Sequence, residues 1–179
     1  MREVMEAHEA PGSHEDSRVT VPVAVTLSIL AALLAIATLL GHRASTEEII
    51  LQTKATDQWA LFQAKNIRLH EMQGFADLLA TLSPVDKEKA EALREKYLKE
   101  TARYERERDE VSEQAKELEK DRELSSRRAD RYEAGEVILE IALIICSLTL
   151  LTKKRIFWLS GIALGLIGLC TTLSGFLIH

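Results

Sequence analysis

Two stretches of this chain carry no charge over lengths that exceed the thickness of a lipid bilayer. Val19–Leu40 runs for 22 residues and Ile156–Ile178 for 23 without an Asp, Glu, Lys or Arg. An α-helix rises ~1.5 Å per residue, so ~20 apolar residues cross a ~30 Å hydrocarbon core. A third stretch, Val137–Leu151, is uncharged over 15 residues apart from Glu140. It is too short to cross by itself, so a span there has to begin near Tyr132 or Glu133 and take Glu136 and Glu140 with it. Three such runs in 179 residues leave too little polar surface to bury them all in a soluble core. Whole-chain averages hide this, because 46% hydrophobic and 28% charged residues would suit a soluble protein if they were mixed.

The first run does not read as a cleaved signal peptide. The 18 residues before it hold five acids against Arg2 and Arg18, where a secretory leader is basic. Residues 1–18 lack apolar periodicity and read as a flexible tail, and the spacing of His8 and His14 fits no metal-ligand pattern. Cys146 and Cys170 fall inside spans and read as small apolar side chains.

Between the first two spans the composition reverses. Residues 42–134 carry 18 Lys and Arg against 21 Asp and Glu, with one Gly and one Pro. That near balance argues against a nucleic-acid partner, which calls for a net basic face. "LSPVD" supplies a stop at Leu82–Ser83, then a Pro for a helix start, then Asp86 and Glu88 for its first turn. Two long helices joined at 83–84 follow. The second has a seven-residue register of Ala90, Tyr97, Tyr104, Val111, Leu118, Ser125 and Tyr132, and the first a stripe of Leu51, Ala55, Phe62, Leu69, Met72, Ala76 and Leu79. A seven-residue period implies a left-handed coiled coil. Arg94, Arg108 and Arg122 thin the seam, while Trp59, Leu61 and Phe75 widen the apolar face, which points either to contact with a second copy or another protein or to a broad core within the chain. No helix breaker stands between Gly41 and Leu82 or between Asp86 and Leu151, so each span should run on into one arm.

The expected fold is therefore all-α: three transmembrane helices (19–41, 133–152 and 156–178) and an extramembrane antiparallel helical hairpin, a coiled-coil stalk, over 42–134. Small residues stripe two spans at 4,3 spacing: Gly161, Gly165, Gly168, Thr172 and Gly175 in the third, and Ala24, Ser28, Ala31, Ala35 and Thr38 in the first. Such stripes let backbones approach where lipid gives helices no hydrophobic drive to associate. They predict tight packing and a homo-oligomer held partly by the third span. Glu133, Glu136 and Glu140 share one face at i, i+3 and i+7, and His42 and Arg43 leave the first span at the same level. An ionised carboxylate at Glu140's depth costs ~2.5 to 3.5 kcal/mol, so it should point into the bundle or at a neighbour, bonded to a hydroxyl such as Thr38, paired with His42 or Arg43, or ringed with its own copies.

"DQWALFQAKNIR", Asp57 to Arg68, followed by "EALREKYLKETARYERERDE", resembles a bacterial family of small membrane proteins known only as a domain of unknown function. The resemblance spans most of residues 20–179, is most specific at Trp59, Gln63, Ala64 and Lys65, and brings the architecture without an activity. Within the hairpin it points to Trp59 and Lys65 as contact residues, and with Phe62, Tyr97 and Tyr104 of the two stripes these are the expected stalk contacts. No phosphate loop, HExxH, CxxC or nucleophile–His–acid set is visible, so neither catalysis nor a cofactor or metal is expected. The partners to expect are the bilayer, further copies and a protein met through the stalk. The role to expect is a scaffold, with an oligomeric ion or proton conduit as the alternative.

"TKKRI" is the short basic loop between the last two spans, which the positive-inside rule places in the cytoplasm of a bacterial inner membrane, with the stalk outside. A cysteine at Lys153 should accordingly resist impermeant thiol reagents in intact cells, and one at Lys89 should react. The reverse labelling pattern would invert the topology.

Overall fold

The structure, a computed structural model, describes residues 13–81 and 86–178, with side chains from residue 20. It is all-helical, with no strand among the described residues. α1 runs Ser13–Thr81, α2 runs Lys87–Thr152, α3 runs Arg155–Ser174, and a short 3-10 turn, Gly175–Leu177, follows. The uninterrupted α1 and α2, of 69 and 66 residues, are the continuous helices expected from the absence of breakers. α1 starts at Ser13, inside the stretch read as a tail, while His8 and the 83–84 turn lie outside the described residues. All three helices contain a segment long and apolar enough to cross a membrane.

Helix ends follow local chemistry. Asp86 precedes α2, and its Oδ1 accepts the Lys89 backbone N–H at 3.1 Å, satisfying one of the donors that a helix start leaves open. The other end of α2 closes with Lys153 in the left-handed region at φ 55°, its N–H donating to the Thr149 carbonyl at 2.8 Å. Lys154 is extended at φ −93°, ψ 119°, and α3 begins at the next residue. A helix-to-helix link this short makes α2 and α3 antiparallel neighbours.

Contacts divide the chain into two units, one formed by residues up to 44 with those from 127 onward, the other by 45–126. In the first, Val23, Leu30 and Ala37 of α1 bury against Leu139, Ala142 and Cys146 of α2. Trp158 of α3 packs on this core, and its Nε1–H donates to Thr26 Oγ1 at 3.1 Å. A second cluster joins Ala44, Ala129 and Tyr132, with Leu40 against it. Val23, Leu30, Ala37 and Ala44 of α1 keep a seven-residue stride, with Gly41 also buried between the last two. So do Ser125, Tyr132, Leu139 and Cys146 of α2.

The third-helix stripe is buried throughout: Gly161, Gly165, Gly168 and Thr172, then Gly175. Its neighbours belong to the same chain, which corrects the expectation that it joins copies. A Cβ on Gly161 would lie 2.8 Å from Cys146 Cβ, one on Gly168 2.9 Å from Leu139 Cγ, and one on Gly175 2.6 Å from the Tyr132 ring. The first-helix stripe lies on the outside of the chain, so of its two expected arrangements only packing between copies is open to it. Ala24, Ser28, Ala31 and Ala35 are exposed on the chain, and only Thr38 is half-buried. Val23, Leu30, Ala37 and Ala44 take the inner face instead.

In the second unit, α1 and α2 meet along the expected stripes. Ala55, Leu69 and Ala76 are buried on α1, and Val111, Ala115 and Ser125 on α2. As positions ascend on α1 their partners descend on α2: Trp59 meets Glu119, Lys65 meets Glu107, and Phe75 meets Tyr97.

The closest backbone approach in the first unit is at Gly135, where an added Cβ would overlap the Thr172 hydroxyl and sit 3.0 Å from Thr172 N and 3.1 Å from Gly168 O. Backbone atoms cannot step aside, so Gly135→Ala should destabilise by about 1–3 kcal/mol. Gly74 has nothing within 4 Å of an added Cβ, and Gly74→Ala should stabilise by about 0.5–1 kcal/mol because it removes a mid-helix glycine. Denaturant titration of the detergent-solubilised protein, followed by circular dichroism, reads both signs.

Candidate functional site

Polar side chains gather where α2 enters its apolar segment. Gly41, buried on α1, faces Tyr132 and Glu136: a Cβ on it would make ordinary contacts at 3.7 Å with Tyr132 Cβ and 3.8 Å with Glu136 Oε2. Thr38 Oγ1 donates to Glu136 Oε1 at 2.7 Å, and Glu136 is half-buried. The facing hydroxyl expected for Glu140 thus goes to Glu136.

Glu140 itself is exposed on the outer surface of the chain, without a hydrogen-bond or ion-pair partner among the described residues. Of its expected placements the one inside the chain's own bundle is corrected, while contact with a neighbouring copy stays open to it, and helix geometry supplies the reason. The inner face of α2 is set by Tyr132, Gly135, Leu139, Ala142 and Cys146. Four residues turn a helix by about 400°, so Glu140 stands about 40° further from that face than Glu136. A shared face at i, i+3 and i+7 is broad enough for its members to fall on opposite sides of a packing boundary. His42 and Arg43 are both exposed, and Arg43 makes no ion pair among the described residues. The structure therefore joins Glu136 to Thr38 and leaves Glu140 and Arg43 apart from them.

The residues of the "QWA…QAK" segment divide their work. Trp59 Nε1–H donates to Glu119 Oε1 at 2.9 Å, and its ring meets Phe62 edge-on at 5.4 Å. Lys65 Nζ donates to Glu107 Oε2, and Arg103 braces the same carboxylate at 3.4 Å. Phe75 stacks on Tyr97 at 5.5 Å and 27°, and the Arg103 guanidinium lies 4.9 Å over the Tyr104 ring. All five expected stalk residues thus make contacts inside the chain, whereas Gln63 and Ala64 are exposed. Sequence reasoning did not find the acceptors Glu107 and Glu119, since many acids on α2 could face Lys65 and Trp59. It also did not single out Gly135, whose one signal was its position beside Tyr132 in the seven-residue register.

Among the described residues no group of three or more His, Cys, Asp or Glu could hold a metal ion. The arrangement is one of long paired helices, apolar segments on three of them, and a carboxylate–hydroxyl pair at the edge of the apolar core. It defines an all-helical protein with three helices long and apolar enough to cross a membrane. The profile of the family described as "Domain of unknown function (DUF4337)" matches residues 19–178, and the chain belongs to that family. No curated protein and no solved structure matches it.

The Lys65 ammonium holds the Glu107 carboxyl below its ordinary value of 4.5, with Arg103 and Arg106 adding to the effect. A carboxylate whose folded value is depressed contributes stability above its unfolded value and loses it as pH falls through the folded one. Glu107→Gln should lower the melting temperature at pH 7. The gap to wild type should begin to close below about pH 4.5 and vanish once wild-type Glu107 is protonated. A gap independent of pH between 7 and 3 would mean that the pair contributes nothing through charge.

Proposed function

We propose that this protein is a non-catalytic, membrane-anchored scaffold that self-associates and holds a helical stalk away from the bilayer. Three apolar segments support the anchor. Their outward side chains support it further: Val21, Ile36, Ile144, Leu159 and Leu166 are each more than half exposed, as lipid-facing residues are. The ascending-against-descending partners of residues 45–126 support an antiparallel coiled-coil hairpin. In this reading the loop at 153–155 is cytoplasmic, the hairpin lies on the far side of a bacterial inner membrane, and the chain works as an assembly of copies.

The observation that carries the reading is a second apolar stripe on α1. Ile49, Ile50, Leu61, Ile67, Phe75 and Leu78 are all exposed, with Ile49 at 66% and Ile67 at 60%. Apart from Phe75, which stacks on Tyr97, these side chains lie outside the contacts α1 makes with α2, and pairing with one helix does not need them. The outer stripe suits a further copy or a helical partner.

Exposed Glu140 favours a second reading, in which copies bring their carboxylates together to pass cations or protons. The core of the first unit is filled by Leu30, Ala37, Leu139 and Ala142, so a path would have to run between copies.

Introducing cysteines at Leu61 and Ile67 tests the scaffold. Oxidation of the purified full chain should give disulfide-linked dimers, and Leu61→Lys with Ile67→Lys should reduce the assembled mass in mild detergent. A single-copy mass with no crosslink would overturn self-association. Liposome flux that appears with wild type and is abolished by Glu140→Gln would move the conclusion to the conduit.

A further inference from the structure

The carboxyl-terminal side of the first unit holds a feature that anchoring and pairing leave unused. α2 presents Arg127 and Arg131 at i,i+4, on one side of a cavity of about 420 Å³ that Asp130, Ala134 and Ile178 complete. That volume lies within the roughly 300–1,000 Å³ of small-molecule sites. Arg128, from the same turn, donates through Nε to the Ile178 carbonyl at 3.0 Å and so holds the chain beyond α3 against α2, which forms the cavity wall. Tyr132 meets Phe176 edge-on at 5.7 Å and fixes the same junction from the other side.

Both cavity arginines are exposed; Arg127 already has an interaction within the chain and would share its donors with a ligand, whereas Arg131 has no hydrogen-bond or ion-pair partner among the described residues. Paired guanidiniums present forks of N–H donors that match phosphate oxygens. Asp130 excludes a simple anion trap, because its carboxylate calls for a cation or a hydroxyl on the same ligand. Apolar surface begins at once: Ala134 and Ile178 line the cavity, and Phe176 and Leu177 are exposed beside it at 53% and 79%. One turn further on, α2 becomes the apolar segment. A ligand that fits all three features carries a phosphate, a hydrogen-bond donor close to it, and hydrocarbon.

We propose that this cavity is a site for the headgroup of a glycerophospholipid that bears a donor, ethanolamine or glycerol. Arg127 and Arg131 take the phosphate, Asp130 takes the ammonium or hydroxyl, and the acyl chains leave along Phe176 and Leu177. Choline, whose quaternary ammonium has no N–H, satisfies the arginines and leaves Asp130 unmatched. The proposal rests on the membrane-anchored reading, since only an anchored chain brings residues 127–134 to headgroup level.

Native mass spectrometry of the full chain in mild detergent, titrated with phosphatidylethanolamine, phosphatidylglycerol, phosphatidylcholine or inorganic phosphate, tests it. Wild type should retain the ethanolamine and glycerol lipids several-fold better than the choline lipid, and should not hold inorganic phosphate. Arg127→Gln and Arg131→Gln should each weaken lipid retention by about fivefold. Asp130→Asn should remove the headgroup preference while leaving choline lipid retention unchanged. Equal retention of all three lipids by wild type overturns the site and needs no variant to fold. Phosphate binding as strong as lipid binding overturns the lipid as its ligand. The anchored reading fails separately, if the chain fractionates away from membranes in cells, and the lipid site then falls with it.

Discussion

A seven-residue stride on two helices decides which side chains leave their surroundings, and most of the structure follows from it. On α2 the stride passes through Tyr97, Tyr104, Val111, Leu118, Ser125, Tyr132, Leu139 and Cys146 without a break, although the flanking residues change from charged to apolar along the way. A stride of seven keeps one face of a helix aimed at its partner only when the helices wind gently around each other. The same geometric rule thus operates where the flanks are charged and where they are apolar, and only the chemistry of the remaining positions differs. Among polar residues the stride buries Ala55, Leu69, Ala76 and Val111; among apolar ones it buries Val23, Leu30, Ala37 and Leu139.

Once that face is set, the polar residues have little choice. Glu136 flanks it and finds a hydroxyl at 2.7 Å, whereas Glu140, one turn on, is carried past the boundary. Lys65 and Trp59 flank it on α1 and meet Glu107 and Glu119. These bonds sit beside the seam and contribute less than the seam does, since partly exposed ion pairs contribute only about 0–1 kcal/mol. Their effect is to set which residues of α1 stand opposite which of α2, a choice that a row of alanines leaves open.

Much of this was legible in the residues themselves. Uncharged length marks the three apolar segments, and the tyrosine register marks the inner face of α2, because both are one-dimensional patterns. The continuity of α1 and α2 follows from the scarcity of Gly and Pro. Less legible was the side of α1 that packs in the apolar unit. Ala24, Ser28, Ala31 and Ala35 offer a smooth face, and Val23, Leu30 and Ala37 offer a bulkier one. The choice falls on the face that matches the contour of α2 and α3, which is a three-dimensional property. Glu140 was misplaced for a related reason: seven residues complete almost two turns, and the remainder decides whether a side chain ends inside or outside.

The two cysteines lie on opposite sides of that same boundary. Cys146 is buried, and the Gly161 backbone of α3 closes over it; Cys170 is exposed on α3 itself. A thiol enclosed in this way can be alkylated only when α3 lifts from α2, while its companion needs no such opening and meets any reagent that reaches the outer face of α3. The chain therefore contains a matched pair of native probes, one that reports the opening of the helix pair and one that calibrates it. The ratio of their reactivities measures how often the pair separates, with no foreign residue introduced.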